Sequence, residues 1–175
     1  GRQYPVEVCY VAPSNEDVWQ QSAKLAKQLL AEHEGSFLLF LPGQREIERA
    51  YQWLLPQVPA HVLVYPLLGS LSLAEQQQAL APAPAGQRKI VLATNVAETS
   101  LTIDGITVVI DSGLARQASY QPRLGFSKLE TVAISQAAAV QRAGRAGRLQ
   151  AGVCYRIDTA EKWARRPAFD SAEIQ

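Results

Sequence analysis

Hydrophobic and polar positions along the chain form short segments whose period changes repeatedly. Phe37 to Leu41 (FLLFL) is a continuous apolar run, the pattern of a strand covered on both faces. His61 to Tyr65, Lys89 to Thr94 and Ile106 to Asp111 read the same way, and Gly152 to Ile157 is a further strand. Pro5 to Val11 alternates weakly and predicts an extended lead-in or strand. Between these runs the period lengthens to that of a helix. Ser14-x-x-Asp17 predicts a capped start for a helix running to about Glu34, with Gly35 as its stop. Gln44 to Leu55 carries helical spacing through Ile47, Ala50, Tyr51 and Leu54, and Ser72 with Glu75 predicts a capped helix through Leu80. Ser135 opens a helix reaching about Arg145, and Thr159 to Arg165 is a short one. Ala81 to Gln87 (APAPAGQ) reads as an exposed loop from its proline and glycine. From Leu114 to Ile134 polar and apolar residues alternate around Gln121-Pro122-Arg123-Leu124-Gly125, which predicts an antiparallel hairpin.

Strands alternating with helices at this spacing imply an α/β fold with a mostly parallel sheet, helices on both faces and one inserted β-hairpin. In such sheets chemistry gathers at the carboxyl ends of the strands, where the unusual polar segments fall. At 175 residues the chain has the size of one domain, and 47% hydrophobic with 19% charged residues excludes wholesale disorder. Seventeen basic residues against 16 acidic exclude a polybasic binder, so any nucleic-acid contact must be local and geometric. No run approaches the ~18 apolar residues of a membrane span. His33 and His61 are isolated, Cys9 and Cys154 have no C-x-x-C spacing, and the expectation is no metal site and two reduced thiols in a cytoplasmic protein. The chain contains no methionine, as expected of a piece excised from a longer protein.

Two segments carry candidate chemistry. In Gln141-Arg142-Ala143-Gly144-Arg145-Ala146-Gly147-Arg148, continued as a helix at about 100° per residue, Gln141, Arg145 and Arg148 lie within roughly 60° of one another. Arg142 points about a quarter-turn away. Glycine inside a helix costs about 1 kcal/mol against alanine, so Gly144 and Gly147 are expected to let a ligand or second domain approach closely. Two guanidinium forks beside an amide suit a polyphosphate, the arginines taking charge and the amide orienting a water. A solvated basic face is the plainer alternative. The second segment, Thr94 to Gly105 (TNVAETSLTIDG), gathers small hydroxyls, an amide and two acids just past a strand end. Such residues bind phosphate and ribose oxygens, and they equally well cap turns.

QRAGRAGR resembles motif VI of superfamily 2 helicases, and TNVAETSLTIDG resembles motif V of their DEAH-box branch. FLPGQREIE at Phe40 to Glu48 resembles motif IV of the same branch, and all three occur in the expected order. The resemblance covers nearly the whole chain as the second RecA-like domain of a DEAH-box ATP-dependent RNA helicase, most like the bacterial HrpB type. It implies that residues 1–13 are an interdomain lead-in and first strand and 14–165 the helicase C-terminal domain. The hairpin, about 114–134, would lie beside the strand being separated, and 166–175 would begin the link to a winged-helix region.

The resemblance also implies roles. Arg145 and Arg148 match arginine fingers that reach the γ-phosphate across an interdomain cleft, and Gln141 matches the amide near the attacking water. Ser100 matches a serine that senses nucleotide state, while Thr102 and Asp104 match residues near the ribose. Thr94 and Asn95, with the Gly43-Gln44 turn, match positions that touch the RNA backbone. Leu114 stands where an aromatic residue often stacks on adenine, which implies apolar contact with the base without stacking. The sequence has no G-x-x-x-x-G-K-[ST] loop and no D-E-x-H box. The implied ATP or other NTP, and its Mg²⁺, would therefore depend on a preceding N-terminal RecA-like domain. That domain, C-terminal domains of the same chain and single-stranded RNA are the implied partners of a monomer. Two rivals remain: a degenerate helicase fold serving as an RNA- or protein-binding module, and a helicase acting on DNA.

Overall fold

The computed structural model describes residues 3–170. Six strands, β1 (Val6–Val11), β2 (Ser36–Phe40), β3 (Val62–Pro66), β4 (Arg88–Ala93), β5 (Ile106–Asp111) and β8 (Gly152–Ile157), form one sheet in the order β1-β8-β5-β2-β4-β3. Every pairing in it is parallel. The helices are α1 (Val18–Leu29), α2 (Gln44–Leu54), α3 (Leu73–Leu80), α4 (Gln136–Gly144) and α5 (Ala160–Ala164). The expected hairpin forms from β6 (Leu114–Gln121) and β7 (Phe126–Ala133), antiparallel and separate from the sheet.

The FLLFL run explains why the sheet needs helices on both faces. Phe37, Leu39 and Leu41 pack with Ala23 and Ala26 of α1 and Ile47 and Leu54 of α2, whereas Leu38 and Phe40 pack with Ala79 of α3 and Ala143 of α4. All five are fully buried, each contributing about 1.5–3 kcal/mol. The two-residue period of the strand thus divides one apolar run between two cores.

The first helix departs from expectation at both ends. It starts at Val18 after Asp17, whose side chain makes no capping bond. Ser14 Oγ instead accepts from the Glu16 amide, and the preceding loop is tied down by Gln21, whose amide donates to the Ala12 carbonyl at 2.8 Å. At the far end the helix stops at Leu29 rather than near Glu34. Arg88, on β4, donates to the carbonyls of Leu30, His33 and Gly35, of which a helix continued to Glu34 would have used only the first internally. The Ser72–Glu75 capping box forms in both directions, with Glu75 N donating to Ser72 Oγ at 3.2 Å and Ser72 N to Glu75 Oε1 at 3.3 Å.

Of the segment expected to begin a link, 166–170 is described and 171–175 lies outside the described residues. Arg166 donates to the Gly113 and Ile134 carbonyls at the root of the hairpin. The Pro167 and Ala168 carbonyls accept from the first-turn amides of α4. Those amides are therefore satisfied within the domain.

Candidate functional site

The segment resembling motif VI does not continue as one helix. Alpha-helical geometry ends at Gly144, and Arg145–Gly147 forms a 3-10 turn before Arg148. The projection that placed Arg148 on the same helix face therefore fails, yet the three residues still meet. Gln141, Arg145 and Arg148 line one open groove of about 520 Å³, whose floor includes Val6 and Val8 of β1 and Val140 and Ala143 of α4. Burial and the like charge of Arg148 hold the Arg145 pKa below its ordinary value. Two cations that disfavour each other at the rim of a groove favour an anion there.

Gly147 has a different role from the one expected of it, whereas Gly144 lines the groove. A Cβ on Gly147 would sit 2.5 Å from the Tyr4 carbonyl oxygen and 2.8 Å from Val6 Cγ2. What approaches closely is the chain's own lead-in, fixed by Tyr4 N donating to the Gly147 carbonyl at 2.8 Å and by Gln3 Nε2 donating to the Gly144 carbonyl at 3.1 Å. A Cβ on Gly144 would make only ordinary contact with Gln3, at 3.8 Å.

Arg142, left off the polar stripe, is the largest fully buried side chain of the domain. Its Nη1 donates to Asp111 Oδ1 at 2.8 Å, its Nε to Glu98 Oε1 at 2.8 Å and its Nη2 to the Leu114 carbonyl at 3.2 Å. The guanidinium also lies 4.8 Å from the centre of the Phe40 ring. One cation thus ties the turn after β4, the end of β5, the hairpin root and α4 together. The two carboxylates raise the Arg142 pKa against the desolvation that would lower it. Burial pushes the Glu98 carboxyl above its ordinary value even with Arg142 beside it.

The Thr94 to Gly105 segment forms a 3-10 turn at Asn95–Ala97 and then an irregular stretch leading into β5. Thr94 Oγ1 accepts from the Val96 amide and Ser100 Oγ donates to the Val96 carbonyl, so both hydroxyls close their own turn as the capping alternative expected. Asn95 is exposed and lines a second groove of about 430 Å³, between this turn and the hairpin, together with Arg116. Glu98 lines both grooves. Ser100 and Thr102 are exposed and Asp104 is half-buried before β5. Leu114 is half-buried at the hairpin root. Neither groove is lined by these four, by Thr94, or by Gly43 and Gln44. Gly43 is buried beneath Arg116, whose guanidinium a Cβ there would strike, and Arg116 in turn donates to both carboxylate oxygens of Glu46 at 2.7 and 2.9 Å. Gln44 is exposed and donates to Glu48 Oε1.

Residues 20–150 match the family model described as the helicase conserved C-terminal domain. The chain belongs to this family. It is 45% identical, over 99% of its length, to the ATP-dependent RNA helicase HrpB of Escherichia coli strain K12. It is 41% identical, over 91% of its length, to the pre-mRNA-splicing factor ATP-dependent RNA helicase prp22 of Schizosaccharomyces pombe. A crystal structure of the E. coli DExH-box NTPase HrpB superimposes with a TM-score of 0.94 at 44% identity over 99% of this chain. The chain spans 22% of the HrpB relative and 14% of the prp22 relative. The sheet and hairpin are accordingly those of the RecA-like C-terminal domain of DEAH-type helicases.

The sequence reading missed the buried hub of this helicase domain: Arg142, Asp111, Glu98 and Phe40. A signal was present. Glu98 lies past one apolar strand and Asp111 ends another, and buried acids at such positions need a cation. Arg142, turned away from the exposed stripe, was the cation available.

Proposed function

We propose that this chain is the C-terminal motor domain of a longer NTP-dependent RNA helicase that works as a monomer in the cytoplasm. The observation carrying the proposal is the convergence of Gln141, Arg145 and Arg148 on one groove. An N-terminal RecA-like domain of the same chain would present the triphosphate opposite it. Among the described residues no three His, Cys, Asp or Glu side chains are grouped so as to hold a metal ion. The metal is assigned to the N-terminal domain, because this sequence has no D-E-x-H box.

In this reading Arg145 and Arg148 neutralise charge that develops on the transferred phosphoryl group, and Gln141 orients the attacking water. Ser100, Thr102 and Asp104 serve the nucleotide, Leu114 gives the base an apolar contact, and Gly43, Gln44, Thr94 and Asn95 follow the sugar-phosphate backbone of single-stranded RNA. The names of the relatives, both ATP-dependent RNA helicases, support RNA as the nucleic acid. Opening and closing of the cleft with the nucleotide cycle would move the two domains along the strand.

The test compares the longer protein with the isolated domain. The longer protein is expected to hydrolyse ATP faster when single-stranded RNA is added and to separate RNA duplexes, while the isolated domain shows no turnover above background. A longer protein that binds RNA but never hydrolyses NTP would establish the degenerate binding module instead, and stimulation by DNA alone would reassign the substrate.

A further inference from the structure

Glu98 holds a position that neither groove alone explains. Its backbone carbonyl accepts from Nε of Arg145 at 2.6 Å and from Nη2 of the same guanidinium. Its carboxylate, 15% exposed, accepts from the buried Arg142 at 2.8 Å. Its own amide donates to the Asn95 carbonyl at 3.0 Å, so its backbone is built into the turn that borders the hairpin-side groove. Arg142 has no freedom to follow a displaced Glu98. It is fully buried and also bound to Asp111 and to the Leu114 carbonyl.

We infer that Glu98 is a positioning residue that couples occupancy of the hairpin-side groove to the placement of the Arg145 guanidinium. In this state the carbonyl of Glu98 parks Arg145 against the turn after β4. A strand seated against Asn95 shifts that turn, the anchored carboxylate converts the shift into a rotation of the Glu98 backbone about the Arg142 pair, and the carbonyl releases Arg145 toward the phosphate side. The coupling thus passes through two bonds of one residue to two arginines of one segment. Arg142 is the fixed post and Arg145 the moving arm. The inference rests on the helicase reading above, since it needs a nucleotide on one side and a strand on the other.

The experiment uses the longer protein and measures ATP turnover with saturating single-stranded RNA. Glu98→Ala is expected to lower RNA-stimulated kcat about tenfold with a smaller change in KM, as coupling residues of this kind typically do. Glu98→Gln keeps an oxygen that can accept from Arg142 and should recover most of the loss. Glu98→Asp keeps the charge but is one methylene too short to hold both bonds; it should lie between, and it carries the test if the alanine variant fails to fold. The decisive readout is a double-mutant cycle. In an Arg145→Ala background either substitution should cost less than about twofold, because its effect runs through Arg145. Full multiplicative losses in that background would overturn the inference, as would normal stimulation of Glu98→Asp and Glu98→Ala. If the unsubstituted protein itself shows no RNA-stimulated turnover, the helicase reading fails and takes this inference with it.

Discussion

Arg142 and Arg145 are three positions apart in one segment and meet opposite environments. Arg142 lies at zero exposure between Asp111 and Glu98, with every neighbouring element packed around it. Arg145 lies at the edge of an open groove, bound to a single backbone carbonyl and repelled by Arg148. The guanidinium of the first has a partner for each of its nitrogens within the domain, and it fixes geometry. The second is incomplete within the domain, and an anion arriving from outside would complete it. The same residue type fixes structure when its counter-charges are built in, and stays open to an anion from outside when they are withheld.

The sharpest way to break this contrast is to remove the rim. Arg145→Ala or Arg148→Ala in the longer protein should lower NTP turnover by about 10³–10⁵, the range for arginine fingers in related phosphoryl-transfer enzymes. The loss should appear in kcat more than in RNA affinity, because the charge develops during transfer. Thermal unfolding of the domain should be almost unaffected. Near-parental turnover in both variants would sink the assignment of the groove.

Removing the buried hub should do the reverse. Arg142→Ala leaves Asp111 as a buried carboxylate without its cation, and breaking such a pair costs about 3–5 kcal/mol. At ~2–4 °C per kcal/mol for a domain of this size, the melting temperature should fall by roughly 6–20 °C. Calorimetry of the isolated domain reads this directly, and a shift below about 2 °C would show the hub to be dispensable.

Lys89 sharpens the comparison as a second buried cation, this one without a carboxylate partner. Its ammonium, at 1% exposure, donates to the carbonyls of Ala79 and Ala81 at the end of α3. Desolvation brings its pKa down to about 8, with only the more distant charge of Asp104 opposing the fall. Because the folded value lies below the unfolded one, the unfolded chain binds more protons between about pH 8 and pH 10.5. The contribution of Lys89 to stability therefore rises with pH across that window. The stability difference between the parent and Lys89→Met should grow in the parent's favour by on the order of 2 kcal/mol from pH 7.5 to 10.5. A flat difference measured by denaturant titration would show that the two carbonyls hold the ammonium charged as well as carboxylates would.

The smallest effect concerns Leu114, whose carbonyl belongs to the buried hub while its side chain is half-exposed. An apolar contact discriminates poorly between bases, so kcat/KM for GTP, CTP and UTP should fall within about tenfold of ATP, or ~1.4 kcal/mol. Leu114→Phe should tighten nucleotide binding modestly without creating strong selectivity. A hundredfold preference for ATP in competition assays would reveal a base-reading element elsewhere.

Local pattern carried most of the fold. The FLLFL run, the Ser72–Glu75 box, the Ser135 cap, the short helix at Thr159 to Arg165 and the alternation around Gln121 to Gly125 each formed within one or two residues of expectation, because their causes are neighbours in sequence. Expectation missed wherever the cause was distant. The first helix stopped short where Arg88, more than fifty positions later, takes the Leu30, His33 and Gly35 carbonyls. Gly147 yielded to Tyr4 from the other end of the chain.

Periodicity and residue type along the chain were enough for the α/β class, the two-faced sheet and the hairpin, and residue type singled out Gln141, Arg145 and Arg148 as candidates. Those follow from side-chain periodicity and from residue chemistry that needs no partner to be recognised. That Arg142 is the buried hub, that Glu98 lines both grooves and that Asp111 pairs with the Arg142 cation depended on how the whole chain packs. A buried ion pair is set by which strand ends the topology brings together. Helical projection also ended at Gly144, where the chain tightened into a 3-10 turn under the lead-in strand, and no period along the sequence records that contact.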